Sequence, residues 1–242
     1  MKDVLIIIPT YNEIENIENI INSIFELYPS INILIIDDNS PDLTFQKVEK
    51  MIENFKNQLF LIKRKTKQGL GTAYVTGFKW ALQKSYSYIF EMDADFSHDP
   101  KEIVNILKPL TNDLCDVCIG SRYINGINVV NWPLNRIILS YIASIYVRII
   151  TGMNIKDSTS GYICYSRNFL QQLDLNNINF TGYAFQIEMK YKAHVMGFKI
   201  MELPIIFSDR KFGESKLNSS IISEAIFGVI KMRLKTLSNI KF

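Results

Sequence analysis

Short apolar runs alternate with stretches of helical spacing through the first half of this chain, and that alternation limits the fold more than any other feature. The runs fall at about residues 3–9, 31–37, 59–63, 86–92 and 115–120, and the helical stretches at about 13–27, 42–55, 71–84 and 100–111. Runs such as VLIII and ILII are apolar at every position rather than at every second one, so both faces of each strand must be covered. Strands of that kind, each followed by a helix, predict an α/β chain built on a Rossmann-like, mostly parallel sheet flanked by helices. Thr10 and Glu13 have capping-box spacing, and Ser40-Pro41 and Asp99-Pro100 each pair a capping residue with a proline suited to the first helical position.

Ligands of open α/β sheets collect outside the carboxyl ends of the strands. The polar turns PTYNE, DDNSPD, GLGTAY and DADFSHD are therefore expected to face one crevice. With 242 residues, 48% of them hydrophobic, and neither an internal repeat nor a Pro/Gly-rich boundary, the chain is expected to form a single domain over residues 1–242. Residues to about 120 carry the crevice turns, and residues from about 121 to 242 form the second half. The formal net charge of +3, without a dense Lys/Arg run interleaved with aromatics, excludes nucleic acid as a partner class. The first apolar run is too short for a signal peptide, and three cysteines are then expected to stay reduced. Cys115 and Cys118 form a C-x-x-C, but an extended backbone would send them to opposite faces, and no second pair or nearby histidine completes a zinc site. They are read as core cysteines.

Asp93 and Asp95 end the apolar run YSYIF one residue apart, where two carboxylates repel each other. In an extended segment both would point the same way, and one hard divalent cation, Mg²⁺ or Mn²⁺, with substrate phosphates completing its shell, would remove the repulsion. A solvated acidic turn is the alternative. Asp37 and Asp38 end the second strand, where a carboxylate either accepts hydrogen bonds from a ribose or base or caps the next helix. Gly69 and Gly71 match neither dinucleotide-binding nor P-loop spacing and are read as turn glycines.

PTYNE, IIDDNSPD, GLGTAYVTGFKWA, MDADFSHDP, GSRY, DSTSGY, GYAFQIEM and DRKFGESKL, in this order from about residue 4 to residue 217, resemble the dolichyl-phosphate (polyprenyl-phosphate) mannosyltransferases, inverting enzymes of the GT-A fold. The resemblance implies transfer of mannose from GDP-mannose to the phosphate of a membrane polyprenol, giving β-linked polyprenyl-phosphate mannose and GDP. By position in the motifs, Pro9, Tyr11, Glu13, Ile36 and Asp38 would bind the guanosine half of the donor. Asp93, Ala94 and Asp95 would meet the diphosphate and its metal. Ser97 stands where some relatives place a glutamine ligand. Arg122 would lie near the donor, and Arg210 and Lys216 would reach over its phosphates from a loop that Gly213 lets close. Gln186 and Glu188 match pocket positions of the family. The catalytic set implied is Asp95, Arg122, Arg210 and Lys216. Glu91 falls at a strand position that is usually apolar in the family.

The stretch NWPLNRIILSYIASIYVRII, residues 131–150, carries Arg136, Ser140, Ser144 and Arg148 at every fourth position, one narrow polar stripe on a helix. Two arginines argue against a span of a roughly 30 Å hydrocarbon core. Partial insertion in one leaflet, with Trp132 and Tyr141 near the head groups, and a core helix packed on the sheet and the C-terminal helix are the two readings it allows. Lys231, Arg233 and Lys235 near the end of the last helix would meet anionic lipid or offset the helix dipole. Expected partners are thus GDP-mannose, polyprenyl phosphate and a membrane surface, peripherally at its cytosolic face, with or without a small anchoring subunit. The competing readings are an enzyme using another nucleotide sugar such as UDP-glucose, and a non-catalytic nucleotide-sugar-binding subunit.

Overall fold

The computed structural model describes residues 1–182, 184–209 and 219–237. The alternation seen in the sequence is realised as β1 (Val4–Thr10), α1 (Ile17–Leu27), β2 (Asn32–Asp37), α2 (Thr44–Ile52), β3 (Leu59–Lys63), α3 (Leu70–Leu82), β4 (Tyr88–Glu91), α4 (Ile103–Thr111) and β5 (Val117–Ser121). There follow β6 (Val129–Val130), α5 (Leu134–Thr151), β7 (Ile163–Ser166), α6 (Arg167–Gln172), α7 (Ala184–Val195), β8 (Ile200–Pro204), β9 (Phe207–Ser208) and α8 (Ser219–Leu237). The main sheet runs β3-β2-β1-β4-β7-β5-β8, and β6 pairs with β9 apart from it. Every neighbouring pair in the main sheet is parallel except those of β7, which runs antiparallel to both β4 and β5. The second half of the chain thus supplies the strand that joins β4 to β5.

Each central strand divides its side chains between two cores, as a strand buried on both faces must. Leu5, Ile7, Leu34 and Ile36 enter the core covered by α3, α6 and α7. Val4, Ile6, Ile8, Ile33 and Ile35 enter the core covered by α1, α2 and α4. On α1, Ile17, Ile20, Ile21, Ile24 and Phe25 form the buried stripe that helical spacing requires.

Two helix starts differ from the capping prediction. Helix α1 begins at Ile17, not near Glu13, because Thr10 spends its hydroxyl on Asp37 at 2.8 Å and Glu13 accepts from the Asn16 side chain. Helix α2 begins at Thr44 because Ser40 turns back to Asp37, its amide at 2.9 Å and its hydroxyl at 2.6 Å. The Asp99-Pro100 prediction holds: Asp99 accepts from the Lys101 amide, and Pro100 opens a short 3₁₀ turn that leads into α4. The three cysteines are reduced and buried as expected, but Cys115, Cys118 and Cys164 all enter the same core. Cys115 precedes the strand, so strand alternation does not govern it.

Helix α5 is inverted relative to α1. Its buried side chains are Ser144, Val147 and Thr151, while Leu134, Ile142 and Ile149 are 70%, 55% and 74% exposed. The helix packs on α8 and enters the core through Val147, as the core-helix reading of residues 131–150 has it, but many of its apolar side chains stay exposed. By length and composition α5 is apolar enough to cross a membrane. It touches α8 through Tyr146, whose hydroxyl donates to the Ile226 carbonyl at 2.9 Å. Exposed Ile226, Phe227, Ile230 and Leu234 give α8 a similar outward apolar surface.

Candidate active site

The turns after β1 and β2 are sewn together by side chains in place of helix caps. Asp37 holds Thr10 and Ser40, and the Ser40 hydroxyl in turn accepts from the Asn12 amide at 3.1 Å. Asp42 accepts from the amides of Ile14 and Thr44, and the Thr44 hydroxyl accepts from the Glu13 amide. Asn12 and Asn39 take left-handed backbone, which asparagine tolerates better than most residues. Asp38 is buried against Arg64, whose guanidinium also donates to the Thr72 hydroxyl and the Gly69 carbonyl. Tyr11 lies under the Lys67 ammonium at 4.0 Å. Tyr11, Glu13 and Asp38 therefore sit on turns that lie side by side at the ends of β1 and β2, while Pro9 lies within β1, in register with Ile36. Ile36 does not open onto those turns, because its side chain is wholly buried in the core beneath.

Gly69 and Gly71 do more than form a turn. A Cβ on Gly71 would stand 2.5 Å from the Phe180 carbonyl, and the Gly71 amide donates to the Thr181 carbonyl at 2.8 Å, so the loop before α7 packs against bare backbone here. Gly69, at φ +96°, is strained for any other residue.

Strand β4 ends at Glu91, and Asp93 and Asp95 sit in the turn after it, not in extended chain. They nevertheless line one cleft of about 390 Å³ together with Ser97, Arg122 and Gln186. Asp95 is buried and its Oδ1 accepts from the Ser97 amide at 3.1 Å and hydroxyl at 2.6 Å. Ser97 thus fixes Asp95. Phe96 between them is left-handed at φ +62°, a strained conformation for an aromatic residue and one found mostly at functional turns. The Asp93 amide donates to His98 Nδ1 at 3.0 Å, and the His98 ring stacks on Tyr162 at 4.7 Å. Burial pushes the His98 imidazole down to about 4, with Asp95 opposing and Arg122 assisting, so it is neutral and a weak base at pH 7. Among the described residues no three His, Cys, Asp or Glu side chains are grouped to hold a metal ion. Two carboxylates on one cleft still match the donor set Mg²⁺ or Mn²⁺ takes when substrate phosphates supply the remaining oxygens.

Arg122 is locked. Its Nε and Nη2 donate to the two carboxylate oxygens of Asp157 at 2.7 and 2.6 Å, its amide donates to the same carboxylate, and Nη2 also reaches the Thr159 hydroxyl. Burial alone would raise the Asp157 carboxyl, but Arg122 outweighs it and holds it below the usual range. The loop carrying Asp157 is itself held by Glu202, which accepts from the amides of Lys156 and Asp157. Arg136, by contrast, pairs with Asp209 at 3.0 Å near the surface and stacks on Trp132 at 3.9 Å. Arg136 and Ser140 line the cleft, and so does Trp132. Trp132 is therefore turned to the arginines of the cleft.

Glu188 has a different place from the one the motif suggested: it accepts from the amides of Asn179 and Phe180 and holds the loop before α7. Glu91 is wholly buried, and its partner is Gln186, whose Nε2 donates to Oε2 at 2.6 Å. Lys190, one turn along α7, donates to the Ser160 and Gln186 carbonyls, and burial lowers its ammonium to about 8 against the pull of Asp157 and Glu91. Asp157, Lys190 and His98 were not assigned a part from sequence. No local spacing marks them, because the contacts that matter join residues tens of positions apart. Arg210, Gly213 and Lys216 lie outside the described residues.

The chain matches the family model described as glycosyl transferase family 2 over residues 5–174. The chain belongs to glycosyl transferase family 2. Among its relatives, it is 40% identical over 231 residues to the polyprenol monophosphomannose synthase of Mycolicibacterium smegmatis, covering 96% of this chain and 87% of that protein. It is 38% identical to the undecaprenyl-phosphate mannosyltransferase of Micrococcus luteus, covering 96% and 94%. The resemblance read from the motifs is thereby borne out, and the chain is a glycosyltransferase. Its fold is GT-A: glucosyl-3-phosphoglycerate synthase from Mycobacterium tuberculosis, solved with phosphoglyceric acid, superposes with a TM-score of 0.70 at 17% identity, covering 95% of this chain and 79% of that one. The same enzyme solved with Mn²⁺, UDP and glucosyl-3-phosphoglycerate gives 0.67, covering 99% and 81%.

Proposed function

We propose that this family 2 glycosyltransferase moves mannose from GDP-mannose to the phosphate of a membrane polyprenol, with inversion, releasing GDP and β-linked polyprenyl-phosphate mannose. The observation that carries the reading is the placement of α5. Arg136 and Ser140 of α5 line the cleft that holds Asp93, Asp95 and Arg122, and Leu139, Ile142, Ala143 and Tyr146 of the same helix continue its wall, so a charged end gives way to an apolar one. A phosphate head on a long hydrocarbon tail suits such a cleft, with the phosphate beside the arginines and the tail along the aliphatic wall toward the exposed side chains of α5. The names of the relatives support both the sugar and the lipid phosphate.

In this reading the donor half runs to about residue 120, and Pro9, Tyr11, Glu13 and Asp38 receive the guanosine. Ile36 contributes only by supporting that rim. The diphosphate meets Asp93, Ala94 and Asp95 beside Arg122 and Gln186, and Arg210 and Lys216 close over it. Asp93 and Asp95, with Ser97 fixing the latter, would hold Mg²⁺ or Mn²⁺, which when bound stabilises the charge that develops on the leaving diphosphate. Arg122 supplies a fixed positive edge that need not reorganise during reaction. Arg136 has a different design: it holds Asp209 through a single contact, Nη1 to Oδ1 at 3.0 Å, where Arg122 holds Asp157 through both carboxylate oxygens, so an arriving phosphate can take the place of the Asp209 carboxylate more readily. The acceptor phosphate is already anionic at neutral pH and attacks the anomeric carbon without a general base, which fits a cleft whose histidine is a poor one. The enzyme works peripherally at the cytosolic membrane face, with the exposed surfaces of α5 and α8 set in one leaflet.

The test is incubation with Mg²⁺ or Mn²⁺, a panel of GDP- and UDP-sugars and a polyprenyl phosphate, with the lipid product identified by mass. A hexosyl polyprenyl phosphate formed from GDP-mannose is expected. Nucleotide release without glycolipid would overturn the assignment, and product from UDP-glucose alone would change the donor.

A further inference from the structure

Glu202 is the third residue of β8, the edge strand of the main sheet, where a carboxylate ordinarily faces water and guards the edge. Here both of its oxygens are spent on backbone. Oε2 accepts from the Lys156 amide at 2.7 Å and Oε1 from the Asp157 amide at 2.9 Å, while the Lys156 ammonium goes elsewhere, to the Ile124 carbonyl at 3.1 Å. At a half-buried edge, water satisfies loop amides as well as a carboxylate does, and what the carboxylate adds is a fixed place for the loop.

What hangs on that place is Arg122, the residue directly after β5. Its amide, Nε and Nη2 converge on the Asp157 carboxylate at 2.9, 2.7 and 2.6 Å, and Nη2 also reaches the Thr159 hydroxyl at 2.8 Å. Asp157 is wholly buried, and the rings of Tyr123, Trp132 and Phe207 wall the guanidinium at 5.3, 5.3 and 5.4 Å. A buried guanidinium follows its carboxylate, because parting from it would strand both charges. The carboxylate follows its backbone, and the Asp157 amide ends on Glu202. Ser160 ties the far end of the same loop, its hydroxyl donating to the Gly120 carbonyl at 2.6 Å. Contacts therefore run without a break from the sheet edge, through the Asp157 loop, to a cation of the cleft that holds Asp93 and Asp95.

We propose, building on the transfer reading above, that Asp157 and Glu202 are positioning residues for Arg122: Asp157 aims the guanidinium, and Glu202 sets where Asp157 stands. Neither touches substrate. Glu202 acts on the reaction only through Arg122, so its effect on turnover should vanish once Arg122 is gone.

The experiment uses the full chain and compares Glu202→Leu, which removes both acceptors, with Glu202→Gln, which keeps one. The direct readout is solvent exchange of the Arg122 Nε–H, followed by heteronuclear NMR and assigned by its absence in Arg122→Lys. Exchange should quicken about tenfold in Glu202→Leu and by a smaller factor in Glu202→Gln, as a protecting contact opens more often. Turnover should fall in the same order, by about tenfold or more in the Leu variant, the scale of misplacing a group at the reacting centre. In an Arg122→Ala background, Glu202→Leu should cost less than about twofold. An equal loss in both backgrounds, or a lowered melting temperature with Arg122 exchange unchanged, makes Glu202 a purely structural residue and overturns the proposal. Should Glu202→Leu fail to fold, Glu202→Gln decides alone, and exchange at the wild-type rate refutes the relay. A wild type that makes no glycolipid sinks the transfer reading instead, and the Arg122 exchange rates, which need no turnover, still judge the positioning.

Discussion

Helices α1 and α5 are both amphipathic and face opposite ways. Helix α1 buries Ile17, Ile20, Ile21, Ile24 and Phe25 against the sheet, whereas α5 buries Ser144 and Thr151 and leaves Leu134, Ile138, Leu139, Ile142 and Ile149 exposed. On α1, apolar periodicity stabilises the fold, at about 1.5–3 kcal/mol for each large aliphatic side chain removed from water. On α5, Val147 is the large aliphatic side chain that is fully buried, and the exposed ones contribute little to the isolated chain. Exposed apolar side chains on a helix that also lines the cleft are what the proposed function would set against a lipid.

The largest expected effect lies where the two halves meet. Asp95→Asn should lower turnover by about a thousandfold or more, the scale of losing a preorganised electrostatic group, with the fold intact, and Asp93→Asn should lower it strongly. Rates measured across Mg²⁺ and Mn²⁺ concentrations, with circular dichroism as control, decide this; wild-type rates in both variants would dissociate the carboxylates from catalysis.

The next effect addresses the inversion itself. Ile21→Ala in α1 should cost about 2–5 kcal/mol of stability, as cavity formation in a packed core does. Ile149→Ala in α5 should stay within about 0.5 kcal/mol by urea titration. Ile142→Asp with Ile149→Asp should abolish co-sedimentation with anionic vesicles while sparing the melting temperature. A matching stability loss at both helices would make α5 a second core helix.

The alternation of strands and helices in the donor half was legible because runs such as NILIID are covered on both faces by local neighbours. What was not legible shares one cause, distance along the chain. Strand β7 inserts antiparallel between β4 and β5 although some 70 positions separate it from β4. Thr10 and Ser40 looked like caps and are instead spent on Asp37, across a gap of 27 positions for Thr10. Asp93 and Asp95 were found by their spacing and share a cleft even though the backbone there is a turn, not a strand. Trp132 was read as a head-group anchor because its partners, Arg122 and Arg136, meet only when the chain folds back. The family motifs, not periodicity, pointed to Arg122 and Gln186; DSTSGY included Asp157 without a role for it, and neither source pointed to Lys190.

Arg210→Ala and Lys216→Ala should cost about ten- to a hundredfold in turnover and much less in GDP affinity, because interactions made mainly in the transition state appear in kcat. Equal losses in both would make them ground-state binders and shift the weight of catalysis to Arg122.

The smallest expected effect is a pH slope. Lys190 is lowered to about 8 from its ordinary 10.5, so between those values the unfolded chain binds a proton that the native protein does not. Stability contributed by this residue must therefore rise with pH across that window, and below pH 8 the native state bears the cost of a buried ammonium. Lys190→Met should remove that rise. Thermal melts of both proteins from pH 7.5 to 10.5 measure the difference, which should approach zero if Lys190 titrates normally in the fold.

The account as a whole rests on a lipid phosphate attacking a mannosyl donor directly, without a general base. The most direct test is the anomeric configuration of the polyprenyl-phosphate mannose made by the wild type from GDP-mannose, read from the one-bond carbon–hydrogen coupling at C1. A β-linked product, formed at a rate that does not require a side chain titrating near pH 6 to 7, is what the arrangement of Asp93, Asp95, Arg122 and Arg136 predicts. An α-linked product, or an activity rescued by an added small base after loss of a carboxylate outside the Asp93 and Asp95 pair, would contradict it.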